Sequence, residues 1–208
     1  MTKRMNPTDS DLVSAYINGR DQQAFGMLLA RHQERIFGYL VGMVRDRTVA
    51  DDLFQETFIR AIRAMNAEKG SYDAQGKWVQ WIMRIARNTA LDHMRTQKRR
   101  RSRAVFEDDE KLDMDQIAVD GEPTAFEALQ REEQNEFLYA CIDRLPDEQR
   151  EVVLLRHESD LTFREIAELT DCSINTALGR MRYALQNLRR MMEETNVSEL
   201  KRIELASS

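Results

Sequence analysis

The sequence predicts an all-α protein made of two small helical domains joined by a flexible polar linker, and three observations support this prediction. Only 3 prolines and 8 glycines occur among 208 residues, so helix breakers are few. Long segments repeat apolar residues every three to four positions, which is the period of a helix packed on one side. Residues 99–123 lose that period and hold a basic block and then an acidic block, a composition that does not build a core.

The first domain is predicted over residues 1–98 and opens with three helices. Thr8 is the predicted N-cap of a short helix that stops at Gly19, and Asp21 is placed to cap the second. The second helix reaches the turn at residues 45–47. Thr48, with an aspartate three residues later, resembles a capping box and predicts a third helix to about Met65.

The third helix has one apolar side and one sharply polar side. The polar side carries Asp51, Asp52, Gln55 and Glu56. The residue pattern by itself favours a solvated surface, with Glu56 paired to Arg60 at i, i+4, over a functional one.

A loop over residues 67–76 leads into a helix with two tryptophans and a row of cations. The candidate nucleic-acid-binding residues of this stretch are polar, cationic or aromatic: Lys69, Tyr72, Lys77, Trp78, Trp81, Arg84, Arg87, Asn88 and Arg95. A cationic helix with aromatics at its start suits single-stranded or opened DNA, because phosphates need cations and extruded bases need stacking surfaces. A two-tryptophan core helix with a solvated, arginine-rich end is the competing interpretation.

The second domain is predicted over residues 124–192, with a fraying tail at 193–208. A helix over residues 124–144 ends before Pro146, and a further helix follows. Thr162 and Glu165 form a capping box that opens a short helix. After a tight turn, Ser173 can cap a longer helix whose predicted apolar positions are Ile174, Ala177, Leu178, Met181, Leu185, Leu188 and Met192.

The short helix, the turn and the longer helix have the outline of a helix-turn-helix. No acid lies between Cys172 and Met192, whereas four arginines do. This charge pattern favours a duplex DNA ligand over a helical hairpin with no ligand.

Composition excludes several classes of function. The net charge of −5 conceals basic surfaces, since eight acids fall between Glu107 and Glu122. Cys141 and Cys172 have no close-spaced partners, so we predict no metal site, no cofactor and no catalytic residues. The sequence lacks a long apolar run, from which we expect a cytoplasmic protein without direct membrane contact.

Two separated stretches resemble one family, the extracytoplasmic-function (ECF) group of bacterial RNA polymerase sigma factors. Residues 51–61, followed by residues 81–88 and Asp92, are similar to sigma region 2. Residues 145–150, then 163–169 and 172–176, are similar to sigma region 4. Asp171 stands where a turn glycine is usual, and since aspartate tolerates the left-handed conformation we expect the turn to survive.

The resemblance implies roles that composition does not show. Region 2 would bind the β′ clamp helices of core RNA polymerase through Asp51, Asp52, Gln55, Glu56, Phe58 and Ile62. The loop and the tryptophan helix would then read and open the −10 promoter element. Region 4, which in this family also meets the β flap, would read the −35 element through Ser173, Asn175, Thr176, Gly179, Arg180 and Tyr183. The family is commonly held inactive by an anti-sigma factor.

The sequence thus predicts a sigma factor that directs promoter-specific initiation and performs no chemistry of its own. The alternative is a polymerase-independent, dimeric helix-turn-helix regulator, which would bind duplex DNA by itself. A nucleic-acid enzyme is a third class, but the clustered acids of residues 107–122 are contiguous rather than spaced for a metal.

Overall fold

Four helices of the first unit, Met1–Glu110, follow one another along the chain. They are α1 (Asp9–Gly19), α2 (Gln22–Val44), α3 (Arg47–Asn66) and α4 (Trp78–Ala104). The computed structural model describes residues 6–67, 76–104 and 137–206, and within these ranges every regular element is a helix. Helices α2, α3 and α4 pack against one another, and α1 packs on α2. The prediction of an all-α fold is confirmed.

The predicted starts of α1 and α2 are confirmed. The Thr8 hydroxyl accepts a hydrogen bond from the Asp11 backbone N–H, and the Asp11 carboxylate accepts one from the Thr8 backbone N–H, which completes a capping box. The Asp21 carboxylate accepts hydrogen bonds from the backbone N–H groups of Gln23 and Ala24. Both caps satisfy N–H groups that have no partner within the helix.

Two predicted helix ends are wrong by one or two residues. Asp46, not Thr48, caps α3, because its carboxylate accepts from the Val49 N–H at 2.9 Å. Gly19 remains helical, and the left-handed residue that ends α1 is Arg20, at φ 53°. Asp46 lies two residues before Thr48, and both residue types are good N-caps. The spacing alone does not decide which of the two caps the helix.

The core of the first unit is rich in aromatic rings. Phe58 on α3 lies between Phe25 and Phe54, with ring centroids 6.2 Å and 4.9 Å away. Tyr39 and Trp78 are also fully buried. This packing fixes α3 and α4 on the α2 scaffold, and therefore fixes which of their faces stay in water.

Helix α4 continues further than predicted. The helical pattern was expected to fail at Arg99, yet the helix continues to Ala104. Arginine and lysine are good helix formers, and their positive charge is favourable near a helix C-terminus. The apolar periodicity ends at Arg99 because the contact of α4 with the core ends there, although the helix itself continues.

The second unit, Lys111–Ser208, holds a helical segment at residues 137–143, labelled α5, within its described part. It is followed by α6 (Asp147–Ser159), α7 (Phe163–Thr170) and α8 (Ile174–Ala206). The break before Pro146 is confirmed. Helices α6 and α7 both pack on α8, around Leu154 and Ile166, which are fully buried.

The helix-turn-helix outline is confirmed in its local geometry. The Thr162 and Glu165 capping box is present, and Asp171 takes the left-handed conformation at φ 54°. The Ser173 hydroxyl accepts from the Thr176 backbone N–H at 3.0 Å. The turn therefore survives with aspartate in place of glycine, as expected.

The apolar register of α8 coincides only in part with its buried face. Ala177 and Leu188 of that register are buried, but Ala184 and Met191 complete the buried stripe. Four residues of the register are exposed instead: Ile174, Leu178, Leu185 and Met192. Small alanines let α6 and α7 approach α8 closely, so the contact stripe is rotated from the one that the largest apolar residues indicate.

The predicted fraying tail is also wrong, since α8 extends to Ala206. Arg189 pairs with Glu193 and Arg190 with Glu194, each at i, i+4. Such pairs stabilise the exposed side of the helix at this point.

Candidate nucleic-acid and protein interfaces

The outer face of α8 offers the most direct candidate for reading DNA. Asn175, Arg182, Tyr183 and Gln186 are all exposed there and follow one another at helical spacing, with Gly179 between them on the same side. Side chains of this kind make hydrogen bonds to base edges in the major groove, with arginine suited to guanine and asparagine to adenine. The capped N-terminus of α8 adds the positive end of a helix dipole.

Five of the six predicted residues of this face divide into two groups. Asn175, Gly179 and Tyr183 lie together on the outer face. Ser173 and Thr176 share a hydrogen bond of 2.9 Å between their hydroxyls while Ser173 caps the helix. Both hydroxyls therefore form hydrogen bonds that stabilise the N-terminus of α8.

Arg180 is placed differently from the prediction. Its guanidinium lies 2.9 Å from the Glu148 carboxylate of α6, and its side chain is only 21% exposed. Arg180 thus lies at the edge of the outer face and is already paired, so it is not a freely presented base-reading group.

Arg182 is the functional candidate that sequence reasoning missed. It is exposed and lies seven residues after Asn175, which is two helical turns along the same face. The signal was present in that spacing, but the four arginines between Cys172 and Met192 look alike until the buried stripe is known.

Replacing Arg182 with alanine is expected to weaken binding of a specific DNA duplex by about 1–3 kcal/mol, because the outer face loses an exposed cation suited to a base edge or a phosphate. The measurement is equilibrium binding of that duplex by the full chain. Arg189→Ala is the matched control, since it lies about 10 Å farther along the helix at about 1.5 Å per residue. Equal losses in both variants would contradict a specific role for Arg182.

Helix α4 presents a polar face with one aromatic ring. Lys77, Arg84, Asn88 and Arg95 are exposed, and Trp81 lies half-buried in the same row. Arg95 is within 3.7 Å of Asp92, an exposed pair worth little in water. The row suits a sugar-phosphate backbone with an unstacked base beside it.

The two tryptophans of α4 have different positions. Trp78 is 1% exposed, so its indole belongs to the core and offers no free face to a base. It packs beneath Trp81, with ring centroids 5.2 Å apart. The core interpretation is therefore right for Trp78, and only Trp81 remains accessible for stacking. Arg87 is half-buried, whereas Lys69 and Tyr72 lie outside the described residues.

Helix α3 carries an acidic arc, which we define as Asp51, Asp52, Gln55 and Glu56. The first three are exposed, and Glu56 pairs with Arg60 at 2.7 Å. Arg60 also lies 3.7 Å from Asp92 of α4, which ties the arc to the neighbouring helix. The arc therefore projects from a helix whose other side is held in the core.

Two of the predicted contact residues on α3 lie outside the arc. Phe58 is 8% exposed and packs among aromatic rings, so it supports the arc from below. Ile62 is half-buried. Ile59, which was not predicted, is 42% exposed and lies one turn beyond Gln55, inside the arc. The sequence pattern did not single Ile59 out, and its exposure became apparent only from the burial of the neighbouring side chains.

The described residues contain no group of three or more His, Cys, Asp or Glu side chains that could hold a metal ion. Cys141 is buried, and burial raises the pKa of its thiol, which makes the nucleophilic thiolate scarcer. No helix in the described part of the chain is both long and apolar enough to cross a bilayer.

These interfaces together define a helical transcription protein with a helix-turn-helix. Residues 28–100 match the Sigma-70 region 2 family, and residues 137–188 match the Sigma-70, region 4 family. The chain belongs to the extracytoplasmic-function group of RNA polymerase sigma factors, and it directs promoter-specific transcription. A polymerase-independent regulator is not favoured, because both sigma regions are present.

Relatives of known function cover most of this chain. The RNA polymerase sigma-H factor of Pseudomonas aeruginosa is 32% identical over 175 residues, which are 83% of this chain and 88% of the relative. The ECF RNA polymerase sigma-E factor of Haemophilus influenzae is 31% identical over 176 residues, 84% of this chain and 89% of the relative.

A solved structure shows the same fold. It is the sigma factor RpoE in complex with the anti-sigma factor NepR from Bartonella quintana, with a TM-score of 0.61 at 20% identity, covering 81% of this chain and 96% of that chain.

Proposed function

We propose that the three exposed faces divide the work of initiation among themselves. The acidic arc of α3 docks on the β′ clamp helices of core polymerase, the polar face of α4 holds the opened −10 strand, and the outer face of α8 reads the −35 duplex. The observation that carries this proposal is the burial pattern, which leaves each of these faces in water while the opposite side of its helix packs in a core.

The charge and shape of each face support its assigned ligand. An acidic surface around an isoleucine suits a basic protein partner, since charge complementarity steers association and an apolar anchor supplies affinity. A row of cations beside a half-buried indole suits an extruded base. A capped helix that carries no acid before Glu193 suits the major groove.

The domain boundaries belong to the same proposal. The region that binds polymerase and opens DNA spans residues 1–98, with α4 extending beyond it to Ala104. Residues 99–123 link it to the −35-reading region at 124–192. The protein acts in the cytoplasm without chemistry of its own, and an anti-sigma factor of the kind that RpoE binds covers its polymerase-binding surface.

Replacing Gln55 and Glu56 together with alanine is expected to weaken core polymerase binding by about tenfold, because two polar contacts of the docking face are removed. The fold should remain intact, since Gln55 is exposed and an i, i+4 ion pair such as Glu56–Arg60 stabilises a helix by only about 0.3–0.5 kcal/mol. The measurement is the dissociation constant for purified core enzyme, with run-off transcription as the functional readout.

The control for this experiment is a double substitution on the other unit. Arg189→Ala with Arg190→Ala changes two exposed residues of α8 and should leave core affinity unchanged. If the wild-type chain itself fails to bind core polymerase, the proposed function is wrong.

A further inference from the structure

Two polar contacts join the first turn of α6 to α8. Glu148 accepts from the Arg180 guanidinium at 2.9 Å, and the Gln149 side-chain carbonyl accepts from the Asn187 amide at 2.8 Å. The two partners on α8 lie seven residues apart, two turns along the same side of the helix. These contacts lie at the rim of the buried stripe, where the helix face turns from the core toward the outer face.

The two members of the Glu148–Arg180 pair differ in exposure. Arg180 is 21% exposed, whereas Glu148 is 72% exposed. The Arg180 side chain thus lies against α6, and the Glu148 carboxylate is exposed beside the outer face of α8. A phosphate that approaches Arg180 must displace Glu148 or be repelled by it.

We propose that Glu148 is a specificity-determining positioning residue, which restrains Arg180 so that this arginine contributes to DNA binding only where the duplex is correctly seated. This inference rests on the proposed function of α8. On an arbitrary duplex, exchanging the Glu148 carboxylate for a phosphate gains little free energy, since one ion pair replaces another. On the correct sequence, base contacts from the outer face hold the duplex so that a phosphate or base edge lies within hydrogen-bond distance of Arg180. Replacing the Glu148 carboxylate by that DNA group is then favourable.

The restraint lowers non-specific binding more than specific binding. Counterion release makes every freely available cation add to affinity for any DNA sequence. A cation that is already neutralised by a neighbouring carboxylate releases fewer counterions from DNA. The specificity ratio, rather than the affinity for the promoter, is therefore the quantity that Glu148 raises.

The test uses the full chain bound to core RNA polymerase. The probes are the duplex most enriched from a library with a randomised upstream segment, and a shuffled duplex of the same composition. Glu148→Gln should tighten binding to the shuffled duplex by up to about fivefold, the range of a partly exposed ion pair. For the variant, the slope of log K for binding the shuffled duplex against log[salt] should become steeper by about 0.9, the value for one more phosphate contact. Binding to the enriched duplex should stay nearly unchanged.

Two matched variants separate this role from a general charge effect. Asp147→Asn removes one negative charge from the same helical turn, but its partner Arg150 is buried and cannot reach DNA. It should leave the specificity ratio unchanged. In the Arg180→Ala background, Glu148→Gln should have no further effect, because the restrained cation is gone.

The outcomes are distinguishable. If Glu148→Gln leaves both the specificity ratio and the salt slope as in the wild type, or if Asp147→Asn reproduces its effect, the inference is overturned. Unchanged core affinity and thermal unfolding show that the Glu148 variant is folded. A wild-type chain that binds no core polymerase or enriches no duplex would instead overturn the proposed function of α8 itself.

Discussion

Trp78→Ala is expected to destabilise the first unit by about 3–5 kcal/mol, the usual cost of removing a large aromatic side chain from a core. Trp78 is 1% exposed and packs under Trp81, so its removal leaves a cavity that the surrounding core cannot fill without moving. The effect should appear as a lower denaturation midpoint for this unit alone.

The chain offers a convenient probe for this experiment. Its 2 tryptophans both lie on α4, so tryptophan fluorescence reports the first unit, and Trp81 still reports it when Trp78 is replaced. Far-UV circular dichroism reports both units. The second unit should therefore unfold at the same denaturant concentration in the variant and in the wild type.

Trp81→Ala is the matched control, because Trp81 is half-buried on the same helix. It should cost less stability and weaken promoter opening more, which permanganate footprinting of unpaired thymines can measure. If Trp78→Ala were instead folded normally and defective only in opening, Trp78 would contact DNA, and its assignment to the core would be wrong.

Ile59→Asp is expected to weaken core polymerase binding by about 2–4 kcal/mol, roughly 30- to 1,000-fold. Ile59 is 42% exposed on the same face of α3 as the acidic arc, so its apolar side chain is available to a partner. The aspartate removes the apolar contact and adds a charge that must be desolvated when the complex forms.

Met27→Asp is the control for this substitution. Met27 is 43% exposed on α2, outside the arc, so the same chemical change there should leave core affinity nearly unchanged. Both variants should fold, because neither side chain is part of the core. Equal losses at the two positions would show that Ile59 has no special place in the docking face.

The identity of each helix was largely predictable, because caps and turns are local. The caps at Thr8, Asp21 and Thr162 are single side chains that bind backbone N–H groups within three residues. The left-handed turn at Asp171 follows from the same local chemistry. Errors of one or two residues arose where two capping residues lay close together, as at Asp46 and Thr48.

Which face of each helix is buried was less predictable. The apolar residues of α8 could be divided between core and surface in more than one way, and the largest of them misled the prediction. Leu178 and Leu185 are exposed, while Ala177 and Ala184 are buried. The periodicity of a sequence shows that a helix has an apolar side. The helices that pack against it decide which residues of that side are buried.

The sequence by itself determined the helical class of this protein, its sigma regions and most of its caps, because all of these depend on residues close together along the chain. The tertiary structure alone decided which side chains are free to meet a ligand. It placed Trp78 and Phe58 in the core, exposed Ile59 and Arg182, and paired Arg180 with Glu148. These assignments depend on contacts between helices, and such contacts are fixed only when the whole core is packed.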